Sequence, residues 1–61
     1  MQSLTAKELA ALESQLELEQ LLVCKCRDAA DVTTDQQLRC QFRSCAQQHK
    51  INYRTLLQFL A

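Results

Sequence analysis

Six side chains in this chain of 61 residues could carry chemistry: Glu19, the single histidine His49, and the cysteines Cys24, Cys26, Cys40 and Cys45. A carboxylate and an imidazole that meet away from water can form a charge-assisted hydrogen bond or ligate a divalent ion. Thiols can ligate, bridge, or simply pack as small hydrophobes. Glu19 and His49 both stand where apolar residues belong. In "LEQLLVCKC" the carboxylate comes three residues before Leu22 and four before Val23, and in "CAQQHKINY" the imidazole sits within a core-like stretch.

The elements that must position these groups are helices. Glycine and proline are both absent, and Leu, Gln, Ala, Glu, Lys and Arg dominate, a composition that favours helix nearly throughout. Thr5 and Glu8 form a capping box in "TAKE", and Thr34 with Gln37 suggests a second in "TDQQ", with Asp35 well placed against the helix dipole. Between them "DVTT" is a poor helix interior, because β-branched side chains and competing polar groups disfavour it. The expectation is an all-α chain forming one antiparallel helical hairpin over 1–61, with helix one at 5–31, a turn at 32–34 and helix two at 35–60. A continuous helix through "DVTT" is the alternative, in a dimer that exchanges helices.

Leu9, Leu12, Leu16, Glu19, Val23, Cys26 and Ala30 follow spacings of three and four, the seam of a helix packed on another. Leu38, Phe42, Cys45, His49, Tyr53, Leu56 and Leu60 repeat the pattern. With Leu4, Ala11, Leu18, Leu22 and Ala29 on the first helix, and Ala46, Leu57 and Phe59 on the second, each apolar arc covers roughly half the circumference. One partner helix cannot cover that much. A homo-oligomer is therefore expected, with a two-fold dimer forming a four-helix bundle as the favoured form. Leu18, Leu22, Tyr53, Leu56, Leu57, Phe59 and Leu60 are its expected interface.

With a turn near residues 33 and 34, residues whose numbers sum to about 68 stand level, and Glu19 and His49 satisfy that sum. The commoner role of such a pair is structural: each group makes burial of the other tolerable, and together they fix the register. The sharper role is metal binding. Glu19 and His49, with Cys45 one turn before the histidine and Cys26 opposite, could supply a tetrahedral set for zinc or iron. A di-iron half-site would instead need Glu-x-x-His, and the residue three before His49 is Ala46. By the same spacing Cys26 and Cys45 point inward, while Cys24 and Cys40 face the polar side as accessible, redox-capable thiols. Two short helices offer no loops to build an oxyanion site around Cys45 and His49, so no catalytic residue is expected and the chain is not read as an enzyme. Lys7, Arg27, Asp28, Arg39 and Lys50 read as a solvated face.

Seven basic and seven acidic residues leave a net charge of zero, with no basic stripe for nucleic acid. The longest apolar run is "LLV" and the N-terminus lacks the regions of a signal peptide, so neither a membrane nor export is expected. A cytoplasmic protein with reduced thiols follows.

Taken together, "LTAKEL", "LELEQLLV", "TDQQL", "AQQH" and "YRTLL" give a chain that resembles the short helical-hairpin proteins of endospore-forming Firmicutes related to spore coat proteins of the Coat F type. The resemblance spans nearly the whole chain. It implies a ferritin-like hairpin, a place in the spore coat, other coat proteins as partners, and Glu19 and His49 as polar core positions. The family pattern has Lys-Lys-Tyr after "LLV" where this chain has "CKC", so Cys24 and Cys26 depart from it. A ferritin-like fold implies no ferroxidase activity here, because half of that site is missing.

Overall fold

Two helices joined by three residues make up the structure, a computed structural model that describes residues 3–60. Residues 1, 2 and 61, at the ends of the expected domain, lie outside the described residues. Helix α1 spans Ala6–Val32, α2 spans Gln36–Leu57, and a single 3-10 turn covers Gln58–Leu60. The chain folds back on itself so that α1 and α2 pack along their length.

Each helix start has a local chemical cause. Thr5 is extended (φ −71°, ψ 162°) and its hydroxyl accepts from the Glu8 amide at 3.0 Å. The Thr5 amide donates to Glu8 Oε1, also at 3.0 Å, which completes the capping box. The Thr5 amide that donates to it, and after that the Thr5 side chain, hold the Glu8 carboxyl below its ordinary value.

The second cap differs from the expectation. Asp35, not Thr34, caps α2: its Oδ1 accepts from the Leu38 amide at 2.8 Å. The Asp35 amide donates to the Thr33 hydroxyl at 3.2 Å. The reason is charge, since a carboxylate answers both the orphan amides and the positive end of the helix dipole, whereas a hydroxyl answers only the amides. Helix two thus begins one residue later than expected, and helix one runs one residue further, to Val32.

Extended backbone at Thr33 (φ −76°, ψ 143°) and Asp35 (φ −82°, ψ 121°) breaks the chain into a hairpin rather than one continuous helix. The Thr33 amide donates back to the Ala29 carbonyl at 3.2 Å. Arg39, expected on the solvated face, is instead half-buried; its Nη2 donates to the Thr33 carbonyl at 2.8 Å and its Nη1 to Gln36 Oε1 at 3.4 Å. No basic residue lies in the last turn of α1, so a guanidinium from α2 supplies the positive charge that a helix C-terminus favours. At the far end α2 stops at Leu57 rather than running to residue 60, and the chain tightens into the 3-10 turn. Such a turn satisfies terminal carbonyls where no glycine is available to cap them.

The two helices also differ in charge. Along α1 six acidic residues face three basic ones, whereas α2 carries four basic residues and no acid. Attraction between unlike helices adds to the packing of an antiparallel pair.

The core is one thin seam of Leu16, Val23, Ala30 and Ala46, with Glu19 buried among them. The rod measures 46 × 16 × 11 Å with a radius of gyration of 14.4 Å, against about 10.5 Å for a rounded domain of this length. Its accessible surface is 4832 Å², about 800 Å² more than a folded monomer of this mass exposes.

Two outcomes follow for the caps. Asp35→Ala should cost about 1 kcal/mol in urea unfolding followed by circular dichroism, while Thr34→Ala should change stability by less than about 0.5 kcal/mol. Equal losses would return the cap to Thr34. Because the folded pKa of Glu8 lies below its unfolded value, its contribution is complete above the unfolded value and disappears as pH falls through the folded one. Glu8→Ala should therefore flatten the acid limb of a stability-against-pH curve.

Candidate functional site

Glu19 is turned inward by its neighbours. Leu16 lies three residues before it and Val23 four after, both buried, so the carboxylate occupies the middle of the α1 seam and retains only 5% of its accessible surface. A carboxylate so placed costs several kcal/mol unless it is answered. His49 on α2 answers it: Nδ1, carrying the proton, donates to Glu19 Oε2 at 3.0 Å. Asn52, one turn further, donates through Nδ2 to the other oxygen, Oε1, at 3.4 Å. Both carboxylate oxygens are thus used, and among the described residues no buried side-chain nitrogen or oxygen lacks a partner. Pairing to Nδ1 fixes that tautomer of a neutral ring and leaves Nε2 as the acceptor.

Asn52 was missed by the sequence reading. It follows His49 by three residues in "HKIN", a spacing that places both on one helix face, and this was the signal available.

The four residues considered as metal ligands do not converge. Among the described residues no three of His, Cys, Asp and Glu gather as they would around one ion. Glu19 and Cys26 are two helical turns apart, about 10 Å along the axis, and the Glu19 oxygens are already engaged. A zinc or iron set of Glu19, His49, Cys45 and Cys26 within one chain is therefore set aside. Cys26 is half-buried, but Cys45, expected inside, is exposed, as are Cys24 and Cys40; all four thiols are free.

The hairpin has two unlike sides. On one, Gln15, Glu19, Asn52, Thr55 and Leu56 line a shallow groove. Leu18 and Leu22 follow Gln15 at spacings of three and four, and Cys45 and Leu38 precede Asn52 by seven and fourteen, so all share that side. This face is apolar: Leu18 and Leu38 are each 44% exposed and Phe59 45%, with Leu22, Phe42 and Leu56 half-buried. The opposite side is lined by Arg27, Asp31, Arg43, Gln47 and Lys50, and beyond them by Gln20, Cys24, Tyr53 and Arg54.

Seven residues were expected at an interface. Leu18, Leu22, Leu56 and Phe59 lie on or beside the apolar face; Leu60 is exposed in the terminal turn. Tyr53 lies instead on the charged side, with Leu57 one turn after it. Tyr53 stands at the middle of its seam, and a small rotation of α2 decides which side receives its ring.

The pair should behave as a unit. His49→Leu alone leaves the Glu19 carboxylate buried without its ring donor and should lower stability by roughly 2 kcal/mol in urea unfolding, a figure reduced from that of a fully buried pair because a quarter of the His49 side chain is exposed. Glu19→Leu with His49→Leu removes both polar groups and should recover most of the loss or exceed the parent. Additive losses in the double variant would show that the two side chains do not depend on each other.

Among the described residues no helix is long and apolar enough to cross a membrane, and no family model, curated protein or solved structure matches the chain.

Proposed function

We propose that this chain is a non-enzymatic structural or interaction protein, a helical hairpin that pairs with a second copy of itself into a ferritin-like four-helix bundle and so contributes to a larger assembly. The observation that carries the reading is the exposed apolar face around Leu18, Leu38 and Phe59, set beside a seam too thin to bury it. A second copy is the occupant that the surface favours. The 4832 Å² rod exceeds the expected monomer surface by about 800 Å², close to what one partner of a standard interface covers. The apolar face also carries few charges, while on the other side Arg27, Arg43 and Arg54 stay in water and Lys50, expected to be solvated, is half-buried. A two-fold axis through the apolar face would bring two Glu19–His49 pairs near one another, each carboxylate already hydrogen-bonded within its own chain.

A place in the spore coat, with other coat proteins as partners, is supported by the resemblance to Coat F-type proteins and by no other observation. A metal role survives only in a form shared between chains, with Glu19 and His49 from both protomers around one ion.

Native mass spectrometry of protein purified under reducing conditions, before and after chelator, tests the assembly and the metal together. The expected species is a metal-free dimer. Leu18→Glu should weaken dimerisation at least about a hundredfold, because the change is felt twice across a two-fold interface, whereas Gln47→Glu on the charged side should not. A wild-type monomer at tens of micromolar would overturn the bundle. A dimer whose ion is lost in His49→Ala would make the metal role primary.

A further inference from the structure

We propose that Cys26 and Cys45 are a redox pair that closes into an interhelical disulfide by exchange with a low-molecular-weight disulfide such as oxidised glutathione. The placement comes from the contact between Glu19 and Asn52, whose Oε1 and Nδ2 lie 3.4 Å apart. Moving seven residues toward the connection on each helix replaces Glu19 by Cys26 and Asn52 by Cys45. Seven residues are two turns, so the two thiols stand on the same side and in the same relation as the carboxylate and the amide.

Side-chain direction brings them closer. Level with Cys26 on α2 is Phe42, so Cys45 lies three residues further from the connection, an offset of about 4.5 Å. Each Cβ leans toward the N-terminus of its own helix. For Cys26 that lean is away from the connection and for Cys45 it is toward it, so the two lean together. Ala46 beside Cys45 and Ala30 one turn after Cys26 are both buried, and small residues there let the helix axes approach, as a disulfide requires. Burial pushes the Cys26 thiol up and the neighbouring Cys45 adds to it, in keeping with this placement.

The other thiols do not share this arrangement. Cys24 opens on the side of Lys50, Tyr53 and Arg54, and Cys40 lies in the first turns of α2 with Gln36, Gln37 and Gln41. Cys24 and Cys40 remain accessible thiols, and the pair proposed to close within the chain is Cys26 with Cys45.

In the unpaired hairpin the exposed Cys45 thiolate attacks one sulfur of glutathione disulfide, releasing one glutathione thiolate and forming a mixed disulfide. The Cys26 thiolate then attacks the Cys45 sulfur and expels the second. The two protein thiols give up two protons and two electrons, and one glutathione disulfide becomes two thiols. The bond lies within one chain; because Cys45 shares the face proposed to pair with a second copy, the exchange is a reaction of the unpaired hairpin, and pairing should slow it.

Trypsin places the four cysteines on four different peptides, because Lys25, Arg27, Arg39, Arg43 and Lys50 separate them. The whole chain is incubated with oxidised glutathione, its free thiols are alkylated, and it is digested without reductant. The expected product has lost two hydrogen atoms per chain, carries Cys26–Arg27 joined to Ser44–Lys50, and unfolds at a higher temperature until dithiothreitol reverses the change. Cys24→Ser with Cys40→Ser should leave the reaction intact, since both positions are exposed. A link involving Cys24 or Cys40, bridges between chains, or glutathione adducts alone in either protein would overturn the proposal.

Discussion

A carboxylate taken out of water must be answered by specific donors, and the register of the hairpin depends on this constraint. Glu19 finds its donors in His49 and Asn52, and the two distances of 3.0 and 3.4 Å hold only while α1 and α2 keep one axial alignment. A slide by one turn would leave the charge buried against carbon, which costs more than a small core can offset. Leucines and alanines along the rest of the seam tolerate such a slide far better, because apolar contacts are non-directional. The pair thus contributes little net stability while excluding the neighbouring registers, the role best attested for polar groups in helical cores.

Shape sets the second constraint. Two helices side by side share a single line of contact, and a rod of 46 × 16 × 11 Å has no interior beyond that line. Burial is then limited to small or mid-sized groups, and no described large side chain is fully enclosed. Larger apolar groups stay exposed, with Leu18 and Leu38 together on one side and Leu21 and Ile51 elsewhere on the rod, because the geometry offers no interior for them. Charge follows the same division, with Arg27, Arg43, Arg54 and Lys50 lining the far side. An unequal distribution of this kind suits association through one face, with solubility kept by the other.

Much of this was legible in the residues. Helices have a fixed rise and the connection is short, so the level of Glu19 and His49 could be counted from the turn. The capping box at Thr5 and Glu8 was equally readable, because both partners lie within four residues of each other. Less legible were features set by small displacements. Thr34 and Asp35 are both good caps, and the choice between them rested on the carboxylate's charge and on the Thr33 hydroxyl that supports the Asp35 amide. Arg39 looked like any surface cation, since its acceptor is a backbone carbonyl that sequence does not display. Assigning the thiols to faces required the lean of each Cβ and the rotation of α2, which periodicity alone places only to within a residue or two.

The connection closed by Thr33, Asp35 and Arg39 also bears on the order in which the hairpin assembles. Arg39 and Thr33 are six residues apart, whereas Glu19 and His49 are thirty apart. Loop closure becomes costlier with length, so pairing propagates outward from the connection, through the alanines, before the charged pair can meet. The polar contact therefore forms on the late side of the folding barrier. An interaction made that late leaves the folding rate almost untouched and acts instead on the rate of opening, so the pair sets how long each hairpin lasts rather than how quickly it appears.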